Sequence, residues 1–268
     1  MNVNHSLWQV LQWPHPVEGI VAFNTLRGDD YGDDPYSAFN LCHYTGDAPE
    51  HVAQCRQMLC HALGIAASHL VMPRQTHTTR VAVVDEALMV AGEAERAVRL
   101  QDVDALVTRL PGVCIGVNTA DCVNIALADA CAGVIGVAHA GWRGTAGKIA
   151  ARTVEAMVAE GARAERIVAV MGASICEHCF EVGDEVLEAF VAQGFDANVI
   201  SHRNPITGKA HIRLQEANRI VLLDAGLTPE NVVWNGECSR CRPWRYFSAR
   251  RLGIHSGRTF TGVLRNTK

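Results

Sequence analysis

Cys122 and His139 each stand at the end of a short, almost purely apolar run, beside polar neighbours. Such runs read as strands, and their ends are where a sheet opens to solvent. If residues 123–128 and 134–138 form a hairpin with a loop of two or four residues, paired positions sum to an odd number. Cys122 then faces the same side as His139, opposite it or one diagonal away. Facing side chains of that kind have Cβ atoms roughly 4.5–5.5 Å apart. That spacing suits two ligands of one zinc, with bonds of about 2.3 Å to sulfur and 2.0–2.1 Å to nitrogen. A three-residue loop would put the two on opposite faces, and the turn at 129–133 leaves the loop length open. The best-placed third ligand is His77, in RQTHTTRV just ahead of another strand-like run. Two imidazoles and one thiolate leave a tetrahedral position open, which marks a catalytic rather than a structural zinc. The bland alternative is a buried cysteine and two hydrogen-bonded histidines.

Two further residues near this triple could do chemistry. Arg143 lies in HAGWRGTAGK, where its guanidinium and the N–H groups of residues 144–147, entering a helix, would cradle an anion. Its alternative is an ordinary ion pair. Asp121, beside Cys122, could orient a ligand histidine or move a proton, or it could simply cap a turn.

Around these residues the apolar periodicity predicts strands at 80–85, 113–117, 123–128, 134–138, 167–171 and 232–235. It predicts helices at 49–63, ended by Gly64, at 145–160, at 181–193, and at 214–225, ended by Gly226. Residues 88–99 read as helix by propensity, 27–36 as a surface loop, and 246–265 as short strand signals mixed with glycines. Without regular βαβ spacing, a mixed sheet in a compact α+β domain is the expected fold class.

Composition excludes several classes. The chain has 268 residues, 49% hydrophobic and 19% charged, and a formal net charge of −4. A chain of this size buries roughly three quarters of its unfolded surface and needs no disulfide or metal merely to fold. The mild acidity argues against nucleic acid as a partner. No apolar run reaches the ~18 residues of a spanning helix, and residues 1–12 lack an export signal, so a cytoplasmic protein without membrane contact is expected. Ten cysteines then read as thiols, with Cys42, Cys55, Cys60, Cys114 and Cys131 as small buried hydrophobes.

Other signals fail. HAGWRGTAGK is no P-loop, because Trp142 and Ile149 occupy positions that need Gly and Ser/Thr. The H-x-E/P-C-x-x-C deaminase signature is absent, as are G-x-S-x-G, H-E-x-x-H and the H-x-H expected of multicopper oxidases. Cys176/Cys179 and Cys238/Cys241 form two C-x-x-C pairs that could share a structural zinc. Their 58 intervening residues exceed the usual ~15–20, so separate surface thiols are expected.

In chain order, QTH (75–77), DALVT (104–108), TADC (119–122), HAGWRGT (139–145), FEVG (180–183) and FSARR (247–251) resemble the motifs of the YfiH-type proteins. That family is also described as multicopper polyphenol oxidases or laccase-domain proteins, and phosphorolysis of purine nucleosides is its better-supported activity. The resemblance runs from about residue 23 to about residue 258. It implies one catalytic domain over 1–268, with mixed sheets in an α/β/β/α layering, and one zinc per chain on His77, Cys122 and His139; copper fits less well. It implies phosphorolysis of adenosine, inosine, guanosine and S-methyl-5′-thioadenosine, together with hydrolytic deamination of adenosine. Cys122, His139 and Asp121 would act in catalysis, with Arg143, Arg27 and Asn40 as substrate contacts. The alternatives are a laccase-like copper oxidase and a non-catalytic metal-binding protein. Asn124 stands where the family usually has Pro, and Gly172-Ala173 where it usually has Gly-Pro. Oligomeric state and preferred nucleoside are not legible.

Overall fold

Strand alternation sorts the apolar residues into three layers of core. In the computed structural model, which describes residues 7–28 and 34–267, two mixed sheets stack face to face. One has the spatial order Trp8–Val10, Ile20–Thr25, Thr259–Arg265, Cys114–Thr119, Leu70–Val71. The other runs Val232–Trp234, Val168–Met171, Val123–Asp129, Val134–Ala140, Ala105–Thr108, Val81–Val83. Parallel pairing occurs only where an edge strand joins its neighbour, so both sheets are mixed, as expected. A small third sheet pairs Glu181–Val182, Ala210–Ile212 and Ser201–Arg203.

Side chains two apart share a face. Ile115, Val117, Ala22 and Val263 of the first sheet therefore meet Ala126, Ala128, Ile135 and Val137 of the second in the central layer. Their alternates point outward. Phe23, Cys114 and Phe260 pack under the helix Pro49–Leu63 through Cys55, Leu59 and Cys60. Ile125, Leu127 and Ala138 pack under the helices Ile149–Ala159 and Leu214–Asp224. The result is the expected α/β/β/α layering in an α+β fold.

The central hairpin has a four-residue loop, 130–133, and pairs Asp129 with Val134 and Val123 with Ala140. Gly133 supplies the left-handed residue that closes the loop (φ 66°), and the Asp129 carboxylate accepts the Ala132 N–H at 3.1 Å. Paired positions thus sum to an odd number, which puts Cys122 and His139 on one face.

Several expectations need correction. The 145–160 helix is two, Trp142–Ala146 and Ile149–Ala159, broken where Lys148 takes a left-handed conformation (φ 61°). Residues 181 and 182 form a strand against Ala210 and His211, so the next helix starts only at Asp184. The 88–99 segment splits into Glu86–Val90 and Glu93–Arg99. Cys131 sits exposed in the hairpin loop, while Cys42, Cys55, Cys60 and Cys114 are buried as expected. Of the 27–36 loop, residues 29–33 lie outside the described residues.

Candidate metal centre

His139 lies on the second hairpin strand opposite Asn124, and Cys122 immediately precedes the first strand, one diagonal away. His77 arrives from the loop ahead of Val81–Val83, in a left-handed conformation (φ 65°). The three ligand atoms lie within 4.8 Å of one another, with Cys122 Sγ 3.8 Å from His77 Nε2. Ligands of one tetrahedral zinc stand about 3.3–3.6 Å apart, so a small contraction closes the triple on an ion. His139 is buried, Cys122 half-buried and His77 exposed, and the centre therefore faces solvent on one side. Gly141 leaves the space: a Cβ there would stand 2.9 Å from Cys122 Sγ, 2.9 Å from His77 Cδ2 and 3.6 Å from His139 Nε2. Donor chemistry, convergence and this cradle all fit a divalent metal.

The carboxylate that organises the triple is Asp104, which the sequence reading passed over although DALVT begins with it. Fully buried, it meets His139 Nδ1 at 2.7 Å. It also accepts the N–H groups of Thr76 (3.3 Å), His77 (3.1 Å) and Thr78 (2.7 Å), and the Thr78 hydroxyl at 2.8 Å. Three consecutive amides converging on one anion account for the left-handed turn at His77. Its backbone carbonyl accepts the His139 N–H at 2.7 Å as well. With Nδ1 held in this way, His139 presents Nε2 to the centre, the arrangement that fixes ring orientation at metal sites. The one available signal is an acidic residue immediately ahead of a fully buried strand.

Burial acts to raise the Cys122 thiol, but the charge and hydrogen bond of His139 and the hydrogen bond to His77 bring it down to about 6. Burial acts to lower His139, but the Cys122 thiolate and Asp104 push it up to about 9. Each partner thus favours the charged form of the other, a thiolate beside an imidazolium.

Asp121 does not orient a ligand histidine, because its two carboxylate oxygens accept the Ser239 hydroxyl and the Arg250 N–H, each at 2.7 Å. It lies at the edge of a groove of about 320 Å³ lined by Ile175, Phe180, Ala249 and Arg250. The Arg250 guanidinium rests 5.5 Å over the Phe180 ring, a pairing the sequence reading did not single out. Arg143 is exposed, stacked 4.2 Å over Trp142. Of the expected backbone cradle beside it, the Thr145 and Gly147 N–H groups are taken up within their own turn. Arg27 and Asn40 are buried braces. Arg27 donates to Ser37 and to the Pro243 carbonyl, and Asn40 bridges Cys42, Asp47 and Arg258. The two departures from the family pattern touch each other: Asn124 donates to the Ala173 carbonyl at 2.8 Å, and the Ala173 N–H, which Pro would lack, donates to Asn24. The two C-x-x-C pairs also converge rather than remaining separate thiols.

Asp104→Asn should weaken zinc binding about 10–100-fold, read by competition with a chelating dye, because it removes the anion that holds His139 and the His77 loop. In metal-stripped protein, alkylation of Cys122 followed by mass spectrometry should rise through pH about 6, and not near the ordinary thiol value. The sign follows from the lowered pKa: the thiolate is present above about 6 and is lost below it. His139→Ala should move that midpoint upward.

A family model described as multi-copper polyphenol oxidoreductase laccase matches residues 21–266. A protein named adenosine deaminase RL5, from an unknown prokaryotic organism, is 54% identical over 255 residues, covering 95% of this chain and 97% of the relative. A purine nucleoside phosphorylase of Bacteroides thetaiotaomicron is 41% identical over 246 residues, covering 91% of each chain. Among solved structures, YlmD from Geobacillus stearothermophilus superposes with a TM-score of 0.85 at 29% identity, covering 94% of both chains. The chain belongs to the multi-copper polyphenol oxidoreductase laccase family, to which the YfiH-like motifs pointed.

Proposed function

We propose that this enzyme is a zinc-dependent purine nucleoside phosphorylase that also deaminates adenosine. The observation that carries the reading is the His77–Cys122–His139 triple, converging at the open end of a buried hairpin. Adenosine, inosine, guanosine and S-methyl-5′-thioadenosine would be cleaved by phosphate to the free base and the (methylthio)ribose 1-phosphate. The names of the relatives support both activities. The same reading makes residues 1–268 one catalytic domain working in the cytoplasm. No described helix is long and apolar enough to cross a membrane.

Zinc bound at the triple would supply a Lewis acid with one open position, the chemistry that acidifies water near neutral pH. The chain's own residues would do the rest. Arg143 has no ion-pair partner among the described residues and offers a fork of donors to phosphate. Arg250, backed by Phe180, presents a flat cation on which a purine ring can stack. Asp121 has one hydrogen bond to each oxygen and lone pairs to spare, so it can carry a proton at the groove edge. In phosphorolysis a phosphate oxygen bonds to C1′ as the C1′–N9 bond breaks, and the leaving purine takes a proton. In deamination water adds at C6 and the amino group departs as ammonia.

Product analysis of the metal-replete protein with adenosine tests both halves. Adenine and ribose 1-phosphate should form only with phosphate, and inosine should form without it. Cys122→Ala should abolish both reactions while leaving the circular dichroism spectrum unchanged; full activity in that variant would sink the site. Arg143→Ala should raise the apparent KM for phosphate about 10–100-fold, the size of a lost charge-assisted bond, while deamination changes little. Equal loss of both activities would make Arg143 structural.

A further inference from the structure

Outside the candidate centre, four cysteines meet where two loops cross. Cys176 and Cys179 follow the strand Val168–Met171, and Cys238 and Cys241 follow the strand Val232–Trp234, its parallel neighbour. Although 58 residues separate the pairs in sequence, the parallel pairing returns the second loop beside the first. Ser174 N–H donates to the Glu237 carbonyl and Ser239 N–H to the Ser174 carbonyl, each at 3.2 Å, which knits the loops immediately next to the cysteines. Each pair sits on a tight turn. Cys179 N–H reaches the Cys176 carbonyl at 3.0 Å, and Arg242 N–H reaches the Cys238 carbonyl at 3.0 Å.

All four sulfurs lie within 4.8 Å of one another, and Cys179 and Cys241 are 3.4 Å apart. Four thiolates on one tetrahedral zinc have sulfurs about 3.8 Å apart, from bonds of about 2.3 Å. Core packing does not explain this cluster. Cys241 is exposed and Cys176 and Cys179 are half-exposed, so only Cys238 resembles a buried hydrophobe. Donors suited to thiolates also point inward. The Cys176 N–H reaches Cys238 Sγ at 3.3 Å, and Arg240 reaches Cys179 Sγ at 3.5 Å.

We propose that Cys176, Cys179, Cys238 and Cys241 form a second, structural zinc site, closed by four thiolates and distinct from the His77–Cys122–His139 centre. On binding, the four thiols release their protons to solvent, and the finished centre carries a net charge of −2, which Arg240 and the Cys176 amide partly offset. With no open position, the ion does no chemistry. It clamps the two loops that hold Asp121, since Ile175 N–H donates to the Asp121 carbonyl at 2.8 Å and Ser239 donates to its carboxylate. The inference does not depend on the proposed catalysis.

The test is metal content by mass spectrometry on protein purified under reducing conditions from zinc-sufficient cells. The wild type should carry about two zinc ions per chain. Cys122→Ala should lose one of them, and Cys241→Ser should lose the other while keeping the first. Cys241 is exposed, so its serine variant removes a ligand without disturbing the core; Cys179→Ser gives an independent check. Cobalt-loaded Cys122→Ala should retain a thiolate-to-metal charge-transfer band that Cys241→Ser/Cys122→Ala lacks. Zinc content unchanged by Cys241→Ser and Cys179→Ser would overturn the proposal. Iron in place of zinc, or a Cys179–Cys241 disulfide in the unreduced protein, would overturn it too. If Cys122→Ala loses no zinc while Cys241→Ser does, the catalytic reading fails and this one stands.

Discussion

One buried anion holds the candidate centre together. A carboxylate removed from water just ahead of a buried strand is tolerable only if its lone pairs are filled by strong donors. Asp104 takes three consecutive amides, a hydroxyl and an imidazole N–H. Those donors come from two places far apart in sequence, the His77 loop and the second hairpin strand. Satisfying the charge therefore brings His77 and His139 together. The burial cost and the site geometry are one constraint, because the donors that make Asp104 tolerable are carried by the segments that supply the ligands.

Charge then propagates outward. Asp104 holds His139 toward its protonated form, and His139 with His77 draws the Cys122 thiol down toward thiolate. A cysteine in such surroundings is poised as a metal ligand, unlike the core thiol of Cys114, which burial pushes strongly upward. The same residue type thus serves as a hydrophobe under one sheet and as an anion at the end of the other. Local sequence does little to distinguish the two, and the neighbouring charges decide.

The fold divides the site between sheet strands and connecting turns. His139 stands on a buried sheet strand and Asp104 immediately precedes another, while Asp121, Phe180 and Arg250 line the groove from turns and a short helix. Asn124 pairs with His139 across the hairpin and bonds Ala173, so the chain's two departures from its family pattern adjoin the ligands without being among them.

The α+β class, the buried central strands, the Gly64 helix stop and the choice of His77, Cys122 and His139 were legible in the residues, because alternation and side-chain chemistry are local properties. Parity of the hairpin pairing was the open condition, and a four-residue loop closed by Gly133 met it. Asp104 escaped notice because a buried acid looks like any other until its donors are placed around it. The early strand at Glu181 escaped for a similar reason: distant partners, Ala210 and His211, override a helical pattern. The two C-x-x-C pairs were judged by their separation along the chain. Parallel pairing of two distant strands erased that separation, and only the folded chain could do so, since a metal centre depends on distances in space.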